Sequence, residues 1–411
     1  MSPLASNTRG DWIRIASSMV EDIAQTEPVL AAFLFGSVAW NDADAASDLD
    51  LMILVDREPP FREVTRIAID KNLDSRVRVR PEFADVDKVS KIWFFEQVRA
   101  GAWVERLVHC VILRDRDGTL AALRDDAAAN FGESNYRFQR FSKLESLTAE
   151  YLAESAAAYR DGDEPRAALA NRMALETAAL ALIGAAGERF SSTHFIETVG
   201  KVLRGLGETE TDSTFVAALT TASVDMVTVP APFDEWMSRK VLPRPIFDGI
   251  TGYYTLAEAL KTEMMRPTRS QRLSATDQAW AAFTYATSTY HEMADKVDKM
   301  LAAERVEALQ FYLQSQILGP ARINFGKLYA LDMFGSVRRL TPLEFFAGIR
   351  SDTALSEAWV KGIGLNTLHG KEIPALARHF LQLGQVVLGE PINLERDRSE
   401  RNGASYFGDD T

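Results

Sequence analysis

The stretch that most constrains this chain is residues 33–55, FLFGSVAWNDADAASDLDLMILV. A short apolar run ends at Gly36-Ser37, a polar loop follows, and Asp48-Leu49-Asp50 leads into a second apolar run. Two carboxylates one residue apart on a strand project to the same face, because side chains alternate with period 2. Leu49 and Leu51 then project to the other face. Residues Met52 to Val55 are apolar throughout, which predicts a strand running into a buried interior. Like charges at the mouth of a buried strand repel one another and lose water. A divalent cation reverses that cost. This pair of acids is the strongest functional signal in the sequence.

The chain has 411 residues, more than one ordinary core supports, so two or three domains are expected. A net charge of −12 argues against broad electrostatic binding to nucleic acid or to an anionic membrane. It is compatible with a cationic small substrate. Cys110 is the single cysteine, which excludes an internal disulfide and points to a reducing compartment. The N-terminal MSPLASNTRGDW lacks the apolar core of a signal peptide, and no run of about 18 apolar residues suggests a membrane span. A cytoplasmic location with no membrane partner is the expectation.

Hydrophobic spacing predicts a helix over Asp11–Gln25, strands at Phe33–Phe35 and Leu49–Val55, and a helix over Phe61–Leu73. A short strand at Val77–Val79, a helix over Val86–Arg99, a strand at Leu107–Leu113 and a helix over Leu120–Ala129 follow. Residues 1–130 therefore read as an α+β domain with a mixed sheet. Beyond Asn135 the pattern is helical only. Arg140–Arg160, Pro165–Ala186, Ser192–Leu203 and Ser213–Met226 predict a helical bundle over 131–228. A second helical domain is expected over 229–389. It opens with the Pro-rich linker Val229–Asp248 and includes one long helical pattern from Thr276 to Leu318 that Gly319-Pro320 should stop. Residues 390–411 are polar and charged and read as a flexible tail.

Gly36-Ser37, ten intervening residues and Asp48-Leu49-Asp50 together resemble the signature of the DNA polymerase beta-like nucleotidyltransferase superfamily. The extended form, GSVAWNDADAASDLDL, is most similar to the minimal and aminoglycoside-type members, which carry Ser-Asp-x-Asp-Leu as Ser47 to Leu51 do here. The resemblance covers residues 30 to 115. It implies that Asp48 and Asp50 are catalytic and hold one or two Mg²⁺ ions, and that Gly36, Ser37 and Ser47 bind the nucleotide. The physics agrees. A glycine lets the backbone approach a triphosphate, turn N–H groups can hold phosphate oxygens, and the metal neutralises charge on the transferring phosphate.

Family members carry a third carboxylate on a later, adjacent strand. The matching stretch here is RVRVRPEFADVD, whose inward positions hold valine or arginine. Glu82 is the nearest candidate, with Asp85 and Asp87 expected beyond the strand. Some aminoglycoside-type members take the general base from their helical bundle. Glu145, Glu150 and Glu176 are the positions available, and Glu176 stands out for its apolar helix, MALETAALAL. His109-Cys110, His291-Glu292 and the aromatics between Trp280 and Tyr312 read as packing rather than as metal or ligand sites.

The resemblance implies a Mg-dependent enzyme. It would transfer NMP from an NTP to a hydroxyl of a small, aminoglycoside-like molecule and release pyrophosphate. The alternatives are a regulatory or toxin–antitoxin nucleotidyltransferase that modifies or binds a protein or tRNA, and a nucleotide-binding pseudo-enzyme. The helical domains are expected to serve acceptor specificity or a homodimer interface.

Overall fold

The computed structural model describes residues 6–43, 47–59, 61–69, 83–99, 103–131, 134–189, 192–220, 259–274, 287–335, 340–351 and 372–389, with 242, 246, 247, 250, 252, 277 and 278 as isolated positions. The chain divides into two compact units. The first is built from residues 1–133, 275–303 and 397–411, and the second from 134–274 and 304–396. Neither unit is contiguous, whereas the sequence reading sets its boundaries near 130, 228 and 389. The fold is an N-terminal α+β domain followed mostly by helices.

In the first unit, helix α1 (Ser6–Thr26) leads into strand β1 (Val29–Phe35) and a single helical turn α2 (Gly36–Ala39). Strands β2 (Leu49–Val55), β3 (Arg62–Ala68) and β4 (Phe83–Ser90) follow, then helices α3 (Lys91–Arg99) and α4 (Val104–Val108), strand β5 (Val111–Asp115) and helix α5 (Thr119–Phe131). The sheet order is β3-β4-β2-β1-β5. β2 and β4 run parallel, and the other three pairings are antiparallel. Side-chain alternation gives the sheet two covered faces. Leu49, Leu51, Ile53 and Val55 join Ala84 and Val86 in one core with Trp12, Ile15 and Met19 of α1. On the opposite face Phe33 meets Phe94 of α3, and Phe94 stacks on Trp103 at 5.5 Å.

Three sequence expectations change here. Residues 62–68 form an edge strand, not a helix. Val64, Thr65 and Ile67 are β-branched residues that pair well on a pleated surface, and the antiparallel partner β4 decides the matter. Val86 and Val89 belong to β4, so the helix expected from Val86 starts only at Lys91. The expected strand over 107–113 divides into the end of α4 and the start of β5. The expected strand Val77–Val79 lies outside the described residues.

In the second unit, helices α6 (Ser134–Asp161) and α7 (Glu164–Ala185) form a hairpin turning at Gly162. Asp163 caps α7 by accepting a hydrogen bond from the Arg166 N–H at 3.1 Å. α7 is long and apolar enough to cross a membrane, but 83% of its apolar window is buried within the protein, as in a core helix. Helices α8 (Phe195–Gly205) and α9 (Thr209–Thr220) come next. The long pattern expected over Thr276–Leu318 resolves into two helices, Thr287–Ala302 in the first unit and Val306–Phe334 in the second. Glu304, at φ 57°, marks the break between them. The second helix passes through Gly319-Pro320 and ends at Gly335, so the expected stop is corrected. An interior proline costs about 3 kcal/mol. Burial of Phe325, Leu328 and Leu331 further along the helix offsets it. Most of the Pro-rich segment 229–248 and all of 390–411 lie outside the described residues.

Candidate active site

The register of β1 on β2 sets Phe35 opposite Asp50, so the chain leaves β1 at Gly36 directly beside that carboxylate. Gly36 has φ +70°, a conformation that costs other residues steric strain. A Cβ on Gly36 would lie 2.0 Å from Asp50 Oδ2. The glycine is therefore required twice, by its backbone and by its neighbour. The Gly-Ser turn and the Asp-Leu-Asp stretch, 10 residues apart in sequence, meet where Asp50 packs against Gly36.

The turn itself is held from below. Arg9 of α1 donates from Nε to the Val38 carbonyl at 2.8 Å and from Nη2 to the Ala39 carbonyl at 2.6 Å. The Ser37 carbonyl accepts from the Asp42 N–H at 2.9 Å, and the Gly36 carbonyl from the Trp40 N–H at 3.1 Å. Each carbonyl of the turn thus has a donor. Ser37 is buried. Ser47, on the other side of the loop, is half-buried.

Asp85 is the acid the sheet sets beside Asp50. β4 lies parallel to β2 with Asp50 and Asp85 as direct neighbours, so their side chains share a face. The expectation that Asp85 and Asp87 lie beyond the strand is corrected, because the strand runs from Phe83 to Ser90. Glu82 itself is outside the described residues. Asp87, one step further in, is buried and takes a bidentate pair from Arg62 at 3.1 and 2.9 Å. It pins the edge strand.

Electrostatics bind the three acids into one cluster. Burial raises the Asp50 carboxyl well above the usual range, and the charges of Asp48 and Asp85 add to the effect. Burial and the Asp48 charge raise Asp85, against the opposing pull of Arg66. Burial works on Asp48 too, but Lys296 and Arg66 overcome it and hold that carboxyl below its ordinary value. Arg66 of β3 binds Asp85 with both Nε and Nη2, at 2.6 and 2.5 Å, and its Nη2 also lies 3.8 Å from Asp48 Oδ2. Lys296, on the helix Thr287–Ala302, places Nζ 3.3 Å from the same Asp48 oxygen. Arg106 of α4, over the Phe35 ring at 5.1 Å, also lowers Asp50.

Hard carboxylate oxygens gathered where they raise one another's proton affinity are the donor set a divalent ion of the Mg²⁺ type selects. The donor chemistry fits. As the side chains stand, among the described residues, no three converge closely enough to hold an ion together. Asp85 faces Arg66, and Asp48 faces Arg66 and Lys296, so three ion pairs close the cluster.

Glu176 is on α7 in the second unit, ion-paired with Arg172 one turn earlier. Arg172 is itself buried and donates to the Leu219 carbonyl at 2.8 Å and to Gln314 Oε1 at 2.6 Å. Glu145 of α6 accepts from Gln385 at 2.7 Å. Glu150 is raised by burial. Cys110 is pushed up to about 12 by burial, which makes it a poor nucleophile.

Residues 19–101 match the family model described as Polymerase beta, Nucleotidyltransferase. Residues 19–101 form a nucleotidyltransferase domain of the polymerase beta type. The match spans α1 to α3 and contains Gly36, Ser37, Asp48, Asp50, Arg66 and Asp85. It ends before Arg106 and far before Lys296, which belongs to the same compact unit. No curated protein matches the chain by sequence. A solved nucleotidyltransferase-like protein from Exiguobacterium sibiricum is similar over 87% of this chain and 89% of its own, at 13% identity and a TM-score of 0.28. A likeness at that level decides nothing about the chemistry.

The sequence reading sets Asp85 beyond the strand and does not single out Arg66 or Lys296. A signal for Asp85 was present: Ala84, Val86 and Val89 with Asp85 and Asp87 between them include a strand-like alternation. Nothing in the sequence marks Lys296, because only tertiary packing brings it to Asp48.

Proposed function

We propose that the nucleotidyltransferase domain transfers a nucleoside monophosphate from an NTP to a hydroxyl of a small acceptor, with pyrophosphate as leaving group. The observation that carries this reading is the placement of Asp50 between Asp85 on the parallel strand and Gly36 at the turn. Asp48, Asp50 and Asp85 are the residues that would hold Mg²⁺, one ion or two. When bound, the metal supplies charge neutralisation for the phosphates and for the leaving pyrophosphate. The chain's own residues do the rest. Gly36 lets the turn close on Asp50, while Ser37 and Ser47, at the two ends of the loop, would offer hydroxyls to the nucleotide. Arg9 keeps the turn in register through its carbonyls. Asp85 takes the role first assigned to Glu82.

The acceptor hydroxyl needs a base. Glu176, ion-paired with Arg172, stays a proposal for that part. An aminoglycoside-like acceptor, a cytoplasmic location, ATP as the nucleotide, and dimerisation through the helical unit belong to the same proposal. A second reading, a nucleotide-binding pseudo-enzyme, is favoured by one observation: Arg66 occupies both oxygens of Asp85.

Pyrophosphate release separates the two. It would be measured with Mg²⁺, each of the four NTPs and a panel of hydroxylated small molecules. The enzyme reading expects turnover that falls at least about a thousandfold in D48A, D50A and D85A, since removing one transition-state stabilising group costs on the order of 10²–10³ and a metal ligand costs more. Equal release by wild type and the three variants would sink it. Mg-dependent nucleotide binding without release would favour the pseudo-enzyme.

A further inference from the structure

Two cations rest on Asp48, and they are not equivalent. Arg66 is fixed: its side chain is 5% exposed, it sits on a strand, and its guanidinium is forked onto Asp85 at 2.6 and 2.5 Å. Lys296 approaches through a four-carbon stem, with its ammonium 3.3 Å from Asp48 Oδ2. An ammonium on a flexible stem can turn to a new anion, and a forked guanidinium on a strand cannot. Arg66, Lys296 and Arg106 act on the cluster of Asp48, Asp50 and Asp85.

The contact of Lys296 with Asp48 bears on binding order. A divalent ion arriving alone must take Asp48 from Lys296 and leave the ammonium beside a second cation in a poorly solvated site. A metal–nucleotide arriving together brings several anionic phosphate oxygens to the same place, and the ammonium has somewhere to go. We propose that Lys296 is the residue that couples the metal to the nucleotide: it holds Asp48 while the site is empty of metal and transfers to the triphosphate when the metal–nucleotide binds. Metal alone then binds weakly, nucleotide alone binds weakly, and each raises the affinity of the other by the same factor. The inference rests on the nucleotidyl-transfer reading of the site. It assigns a role to a helix, Thr287–Ala302, that lies outside the matched segment 19–101.

The test uses the full-length chain and reads binding rather than turnover. Mn²⁺ affinity is measured by electron paramagnetic resonance, with and without the non-hydrolysable analogue α,β-methylene-ATP, for wild type, K296Q, K296R and K299Q. Lys299 lies one turn along the same helix, paired with Asp295, and serves as a control away from the acids. In wild type the analogue should tighten Mn²⁺ at least about tenfold, within the usual range of coupling energies. In K296Q, Mn²⁺ alone should bind about three- to tenfold tighter than in wild type, while the coupling factor falls toward one. K296R should retain most of the coupling, and K299Q all of it.

Wild-type coupling in K296Q, or metal affinity that is unchanged or lower there, overturns the inference and leaves the nucleotide-site reading standing. Binding of neither ion nor analogue by wild type overturns both. Circular dichroism on each variant identifies misfolding, and in that case K296R decides: loss of coupling in a folded K296R with metal affinity unchanged also overturns the role of Lys296.

Discussion

At the scale of single residues, the site turns on one missing side chain and one unwelcome charge. Gly36 is compelled by φ +70° and by Asp50 Oδ2 lying 2.0 Å from where a Cβ would sit. G36A is expected to cost about 1–2 kcal/mol from the left-handed backbone alone, seen as a lower urea midpoint, and to displace Asp50 enough to abolish Mn²⁺–nucleotide binding. Asp50 behaves in the opposite way. Its folded-state proton affinity is raised, so the folded chain binds more protons than the unfolded chain above the ordinary value of 3.8. Stability from this group is therefore lost as pH rises from about 3.8 through its raised folded value. The metal-free D50N variant should melt higher than wild type at pH 7, and the gap should close toward pH 4. Equal melting temperatures at pH 7 would show that Asp50 carries no such burden.

At the scale of elements, the edge strand β3 and the hairpin α6–α7 show how buried charge sets geometry. β3 contributes Arg62 and Arg66, each forked onto an aspartate of β4, so the register of the edge is written in two ion pairs. In the helical unit, Arg166 is 3% exposed and lies between Glu154 at 3.3 Å and Asp161 at 2.5 Å, with Asp163 at 3.7 Å. Glu154 is 6% exposed and is also reached by Arg350 at 3.3 Å. Removing one partner leaves a buried carboxylate short of its countercharge. R166A is expected to destabilise the protein by about 3–5 kcal/mol, measured as a shift in the urea midpoint at constant slope. E154Q, which keeps the shape and removes the charge, should cost clearly less. The β3 strand itself was hidden in the sequence because Arg-Glu-Val-Thr-Arg-Ile-Ala fits a helix and a strand alike, and its partner β4 chose between them.

At the scale of the whole molecule, the first unit borrows a helix from more than a hundred residues downstream. Residues 1–133 contain the Gly-Ser turn and all three acids but not Lys296. Expressed alone, that fragment should bind Mn²⁺ without help from nucleotide and bind α,β-methylene-ATP at least about tenfold more weakly than the full chain. Electron paramagnetic resonance and fluorescence titration would read the two affinities. Full coupling in the fragment would remove the helix Thr287–Ala302 from the site.

The sequence by itself determined the local parts of this protein. The Gly36-Ser37 turn, the Asp48-Leu49-Asp50 strand, the α+β class of the first 130 residues and the helical character of the rest follow from spacing, side-chain alternation and turn chemistry, all of which act over a few residues. Tertiary structure alone decided the remainder. Asp85 became the third acid because β4 lies parallel to β2, a pairing between segments 35 residues apart at Asp50 and Asp85. Lys296 reached Asp48 across a separation of 248 residues because its helix packs with the first unit rather than with its sequence neighbours. Burial then raised Asp50, while Lys296 and Arg66 held Asp48 below its ordinary value, although only a single leucine separates the two in sequence. Desolvation and countercharge depend on what surrounds a side chain in space, and no periodicity along the chain records that.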